Sequence, residues 1–269
     1  MNISLLILII IFLLLFYILN RFLIKNEHYE HYEHYEHKVA IRFLNKEKTS
    51  QILLNNNDDY FDKFFKKDLE VRNVSSIDEY KAIIKKCTCN FNNDEQDKIK
   101  QAIRNITQKI NNIQNNYYKN INIKKLNQIP WVIGLICNNK YENGLPHTRN
   151  HIILLSREKM NYYSMNKLEK TLIHEKIHIY QKKHPEEVNA YLDNMGFQKI
   201  KIREKNDNIR ANPDLDNYIY QDKDHNTYKA VYNTNASTLE DITYYPYDKQ
   251  NWEHPHEKMA IEFEDIINI

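Results

Sequence analysis

Three kinds of hydrophobic pattern run along this chain, and the first has no period at all. Residues 5–19 read LLILIIIFLLLFYIL, and after Asn20 and Arg21 the run resumes as Phe22, Leu23 and Ile24. A helix rising about 1.5 Å per residue needs roughly 20 residues to cross a bilayer. The stretch from Ile3 to Ile24 supplies that length if Arg21 snorkels to the interface. No basic residue precedes the run and no small-x-small site follows it. Residues 1–24 therefore read as an uncleaved transmembrane anchor and not as a signal peptide. Arg21, Lys25, Lys38 and Arg42 all follow the span. The positive-inside rule then predicts a single-pass protein whose soluble bulk stays on the cytosolic side, or one set in a virion membrane. Glycans at the sequons of Asn73, Asn105 or Asn235 would argue for the opposite orientation.

The second pattern has helical spacing. Ile99, Ile103, Ile106 and Ile110 recur at intervals of three and four in NDEQDKIKQAIRNITQKINNIQNN, and DDYFDKFFKKDLEV and SIDEYKAIIKKC also read as helices. The third is strand-like. WVIGLIC, Trp131 to Cys137, reads as a buried strand, and HTRNHIILLS, His147 to Ser156, as a second and more exposed one. NYIYQ and TYKAVYN, separated by DKDHN, read as a hairpin. Helices and strands mix without a βαβ rhythm, so the expected class is α+β. Between anchor and domain lies EHYEHYEHYEH, residues 27–37, holding His28, His31, His34 and His37. It reads as a spacer within a linker at 25–49, with a capacity to collect metal loosely. The globular domain is expected over 50–269.

The stretch TLIHEKIHIYQKKH, residues 171–184, sits on the most informative helix. Asn166 followed by Glu169 has the spacing of a capping box, and Pro185 ends the helix or begins the next. Leu168, Leu172 and Ile179 form one apolar stripe; Ile173, Ile177 and Tyr180 form another. Glu169, Lys176 and Lys183, seven apart, suit a solvated edge, with His174 and His178 opposite and aimed inward. Two imidazoles one turn apart can both reach one tetrahedral zinc. Glu175 lies beside the pair, where it can take a proton from a zinc-activated water without itself being a ligand.

Composition narrows the partners. With 38 basic and 36 acidic residues the net charge is only +2, which gives no case for a nucleic-acid partner. The chain has 3 glycines and is rich in Asn, Ile, Lys and Tyr, a bias typical of AT-rich coding sequence. Cys87, Cys89 and Cys137 are too few for a disulfide framework and read as reduced thiols. Asp214 and Asp216 in RANPDLDN read as a turn, since a calcium loop wants more oxygen ligands and a glycine.

The third ligand has several candidates. His184 gives H-E-x-x-H-x-x-Q-x-x-H, which resembles the metzincin signature but has Gln181 where that family has glycine. Without a glycine turn the helix continues and carries His184 out of reach. Met195 in DNMGF reads as the end of a second helix capped by Gly196, not as a methionine turn. The chain's last segment, NWEHPHEKMAIEFEDIINI, offers Glu257 just inside a helix opened by Pro255, with Met259, Phe263 and Ile266 on one face. His254 and His256 are alternatives there, and Tyr244, Tyr245 or Tyr247 in ITYYPYDK could supply a hydroxyl to a developing oxyanion.

E-x-x-A-x-x-F from Glu257 is similar to the third-ligand helix of zincin metallopeptidases of the HExxH…E, gluzincin-like type. TLIHEKIHIYQ resembles their active-site helix, and HTRNHIILLS their substrate-aligning edge strand. Together these cover about half of the globular region. The resemblance implies a zinc peptidase with His174, His178 and Glu257 as zinc ligands, Glu175 as general base, and a peptide or protein as substrate. By composition and anchor the chain also resembles membrane-anchored zincin-like proteins of large DNA viruses. A membrane protein that keeps the fold without turnover, in a structural or interaction role, is the alternative. Neither substrate preference nor oligomeric state follows from the sequence.

Overall fold

The computed structural model describes residues 33–34, 40–205, 207–212, 215–247 and 252–268. The expected anchor and most of the His-Tyr-Glu repeat lie outside these residues. Among the described residues no helix is long and apolar enough to cross a membrane. Helices and strands are mixed as an α+β fold requires.

The larger sheet comprises β1 (Glu33–His34), β2 (Ala40–Phe43), β3 (Thr88–Cys89), β6 (Trp131–Ile136), β7 (His147–Arg149) and β8 (Ile152–Ser156). Its order is β1-β2-β6-β8-β7, with β3 also paired to β6. Strand β6, buried along its whole length, is parallel to β2 on one side and to β8 on the other. Such a strand reads as continuous hydrophobic sequence because both its faces are covered. A small ribbon, β4 (Tyr117–Tyr118) with β5 (Ile121–Asn122), stands apart. The second sheet has the order β12-β11-β10-β9, from β9 (Gln198–Ile202), β10 (Tyr218–Gln221), β11 (Thr227–Tyr232) and β12 (Ile242–Tyr245). Its β10–β11 pairing, Tyr220 opposite Tyr228, is the expected tyrosine-rich hairpin.

The helices are α1 (Lys46–Leu54), α2 (Lys66–Glu70), α3 (Ile77–Cys87), α4 (Asn93–Asn111), α5 (Ile123–Asn127), α6 (Arg157–Tyr162), α7 (Met165–Lys183), α8 (Pro185–Met195) and α9 (Pro255–Phe263). Helix α7 carries the HExxH motif and packs against α4, α9 and the β7–β8 pair. Helix α8 ends at Met195 on Gly196, whose φ of +76° suits glycine.

Several expectations change. The segment at 58–71 is not one helix. A short turn at Phe61–Lys63 is followed by α2, started by Asp68 accepting from the Phe65 backbone N–H. The same buried carboxylate accepts from Arg203, the Ala211 N–H and the Tyr232 hydroxyl, so four donors satisfy it and tie α2 to the second sheet. His147–Ser156 is an antiparallel pair, β7 and β8, turned at Asn150 with φ +54°, and it is buried instead of exposed. Strand β2 and the start of α1 fall in the segment read as linker, so the fold begins before residue 50. Gly134 of β6 has no side chain where Thr49 of α1 approaches, which seats α1 on the sheet. Cys89 and Cys137 form a disulfide, Cα–Cα 6.2 Å, leaving Cys87 as a buried thiol. The β3–β6 pairing sets Cys89 opposite Leu135 and so brings together residues 48 apart, a proximity invisible in Cys spacing. Such bonds persist in oxidising compartments, against the reduced state expected above.

Helix α7 departs most from its helical-wheel reading. Its N-cap is Ser164, which accepts from the Lys167 N–H, not Asn166. The supposed wet edge is largely dry. Glu169 is buried against Asn105 and Lys109 of α4, and Lys176 is 2% exposed with its ammonium 4.0 Å from the centre of the Trp131 ring. Burial drives the Lys176 pKa down to about 7, with Lys183 adding to the effect. A lysine whose folded pKa is depressed takes stability from the fold while it is charged, and the loss is relieved as pH rises from about 7 toward 10.5. Two predictions follow from this packing. Lys176→Met should raise stability at pH 7 by about 1–3 kcal/mol and flatten the rise between those pH values, read by denaturant unfolding. A chain starting at residue 40 should melt cooperatively, while one starting at residue 50 should lose at least about 10 °C in Tm, because Ile41 and Leu44 leave the core. Equal melting would remove β2 from the core.

Candidate metal and catalytic site

The site forms where α7 meets α9. Pro255 occupies the first turn of α9, and the His254 side chain caps it by accepting from the His256 N–H. Asp216 holds the other ring nitrogen of His254 at 2.9 Å, so the start of α9 is tied to the second sheet. Ala260 is fully buried, and the small side chain permits close approach of the helices. This seating places Glu257 against the two histidines of α7.

The donor atoms converge. His174 Nε2 lies 3.2 Å from Glu257 Oε2, His178 Nε2 3.5 Å from Glu257 Oε1, and the two Nε2 atoms are 3.1 Å apart. The remaining ring nitrogens are engaged. His174 Nδ1–H donates to Glu264 Oε1 at 2.9 Å, and His178 Nδ1–H donates to Gln181 Oε1 at 2.9 Å. Gln181 Nε2 in turn donates to the His256 carbonyl. With both Nδ1 atoms protonated, two Nε2 lone pairs face each other and a carboxylate across little more than 3 Å. Such an arrangement can hold a cation at its centre. Ligand atoms about 2.0–2.1 Å from a tetrahedral zinc stand about 3.3–3.4 Å from one another, close to the separations seen here. Two imidazoles and a carboxylate are also a fitting donor set for zinc. Among the described residues, His174, His178 and Glu257 are the group of ligating side chains that comes together in this way.

The demand for positive charge shows in the titrating groups. Burial opposes charge on His174, but the Glu257 and Glu264 carboxylates more than offset it and hold the imidazole well above its usual range. His178 is raised by Glu257 against the same opposition. Burial would push Glu257 up, yet His178 and His174 keep it well below ordinary carboxylates. Asn212 Nδ2 donates to Glu257 Oε1 at 2.8 Å and fixes the carboxylate's orientation.

A cavity of about 430 Å³ opens onto this cluster. Glu175, buried beside His174 and His178, and Tyr244 of β12 are among the residues that line it. Burial raises the Tyr244 pKa, which keeps its phenol a donor. Charged neighbours in the cavity are paired: Arg72 with Glu142 and Arg210 with Glu253, each through two guanidinium nitrogens.

The remaining candidates separate from the site. His184 ends α7 with its ring against Tyr180, away from the cluster, as expected without a glycine at 181. His254 binds Asp216, and His256 lines a different cavity. Tyr245 and Tyr247 are exposed and do not line the cleft. Sequence reading missed Glu264, Gln181 as a histidine partner, and Asn212. Glu264 is seven residues beyond Glu257 and thus on the same side of the α9 segment, the one signal that pointed to it.

Partners of this kind set ring orientation and basicity. Glu264→Gln should therefore weaken zinc binding by the full-length protein by about 10-fold, and Glu264→Ala by up to about 100-fold, while His184→Ala leaves it unchanged in competition with a chromogenic chelator. Equal affinity in all of them would show that Glu264 does not orient His174. No protein-family model, curated protein or solved structure matches this chain.

Proposed function

We propose that the protein is a zinc-dependent peptidase, with His174, His178 and Glu257 as metal ligands and Glu175 as general base. The observation that carries this reading is the convergence of three ligand atoms in a cavity also lined by a non-ligating carboxylate. It is the arrangement implied by the likeness to gluzincin-like peptidases. A zinc held by the triad would acidify water toward neutrality and polarise a peptide carbonyl.

The chain's own groups account for the rest of the reaction. Glu175 accepts a proton from the attacking water and delivers it to the leaving amine. Tyr244, which lines the same cavity, donates its hydroxyl to the oxygen that gains charge. Glu264 and Gln181 hold the histidines in the tautomer that presents Nε2 to the metal. Asn212 keeps Glu257 turned toward the cluster. The apolar run at residues 5–24 would tether this activity to a membrane.

Hydrolysis of casein by the zinc-loaded full-length protein is the test. Glu175→Gln should keep the zinc and lose about 10²–10⁴-fold in kcat, the range for removal of a general base. Tyr244→Phe should lose about 10²-fold in kcat with KM little changed. Activity that survives Glu175→Gln, or a zinc-loaded parent that cleaves nothing, would refute the peptidase reading.

A further inference from the structure

The three glycosylation sequons stand in unlike surroundings. Asn73 follows α2 in an exposed turn with φ +56°, and Ser75 of the same sequon is exposed as well. Asn235 occupies an exposed turn between β11 and β12, and Ser237 beside it is exposed. The two turns are packed together. Val71 shares a small apolar cluster with Ala236, Tyr232 and Leu239, and the Lys67 ammonium of α2 donates to the Ala236 carbonyl. Asn73 and Asn235 therefore flank one patch of surface.

Asn105 differs from both. It sits within α4, where its Nδ2 donates to the buried Glu169 of α7 and its Oδ1 accepts from Gln101. Lys109 of α4 reaches the same Glu169 carboxylate. A sugar on the Asn105 nitrogen would stand between α4 and α7 and compete with the contact that satisfies Glu169.

A second observation bears on the compartment. Cys89 and Cys137 are joined, and two thiols must give up two electrons and two protons to form that bond. Disulfide donors of the secretory pathway take them, whereas cytosolic thiol reductants keep such pairs apart. A chain that meets those donors also meets the lipid-linked oligosaccharide from which asparagine glycans are made.

We infer that the domain matures on the oxidising side of a membrane and carries N-linked oligosaccharides on Asn73 and Asn235 but not on Asn105. At each site the asparagine Nδ2 loses a proton and bonds the anomeric carbon of the oligosaccharide. The bond from that carbon to a lipid diphosphate breaks, and the lipid diphosphate leaves. This orientation is opposite to the one expected from Arg21, Lys25, Lys38 and Arg42. It does not depend on the peptidase reading.

The test uses the full-length protein made in cultured mammalian cells, extracted in mild detergent and taken as the monodisperse fraction, so that folded chains are read. Digestion with peptide N-glycosidase F should lower its mass by two glycans. Ser75→Ala and Ser237→Ala should each remove one glycan, Ser75→Thr and Ser237→Thr should keep both, and Thr107→Ala should change nothing. Serine is the residue replaced because Asn73, at positive φ, suits its turn. Before reduction, the denatured protein should offer one maleimide-reactive thiol, Cys87, and after reduction all three cysteines should react. A chain that carries no glycan, a glycan lost in Thr107→Ala, or three reactive thiols before reduction would overturn the inference.

Discussion

A carboxylate set against two imidazoles in a partly buried cluster needs positive charge among them, and the contact of α7 with α9 is what brings the three groups together. Glu257 cannot sit at hydrogen-bond distance from His174 and His178 without a proton or a metal ion among them. The surrounding groups limit the choice. Glu264 and Gln181 take the outer nitrogens of both rings as donors, which leaves the inner nitrogens as bases aimed at a common point. Protons could answer the charge but would leave this orientation without purpose. A zinc ion, as proposed above, would satisfy both charge and direction and would give Glu175, alongside, a chemical role.

The fold around the cluster is arranged to hold two helices from distant parts of the chain. Helix α7 is buried on nearly every side, by the larger sheet, α4 and α9. The start of α9 is fixed from the second sheet through Asp216 and His254, and Asn212 reaches Glu257 from the same region. Asp68 ties that sheet to α2 through four hydrogen bonds. A shift in either sheet would therefore move a ligand or one of its supports. The cavity is lined from both sheets and from α7 and α9.

Much of the site was legible because its signals are local. HExxH on a helix and Glu257 behind Pro255 each follow from spacing within a single element. Gln181 correctly indicated that α7 runs on and carries His184 away. What stayed hidden depends on contacts between elements. The seven-residue spacing of Glu169, Lys176 and Lys183 suits a wet edge, but it also fits a face where two charges find buried partners in α4 and on the Trp131 ring. The Cys89–Cys137 bond, the Asn212 contact and the break before α2 all depend on partners far along the chain. The β7–β8 turn was local yet missed, because Asn150 with a positive φ supplies a turn without glycine or proline.

Under the proposed function, tightly bound zinc sits at the α7–α9 cluster and not at the histidine-rich repeat. The most direct measurement is zinc stoichiometry, by mass spectrometry under non-denaturing conditions, of the full chain, a form lacking residues 27–37, and Glu257→Ala and His178→Ala variants of that form. About one tightly held zinc should be retained when the repeat is removed and lost in both substituted proteins. Zinc that disappears with the repeat, or that persists without Glu257 and His178, would contradict it.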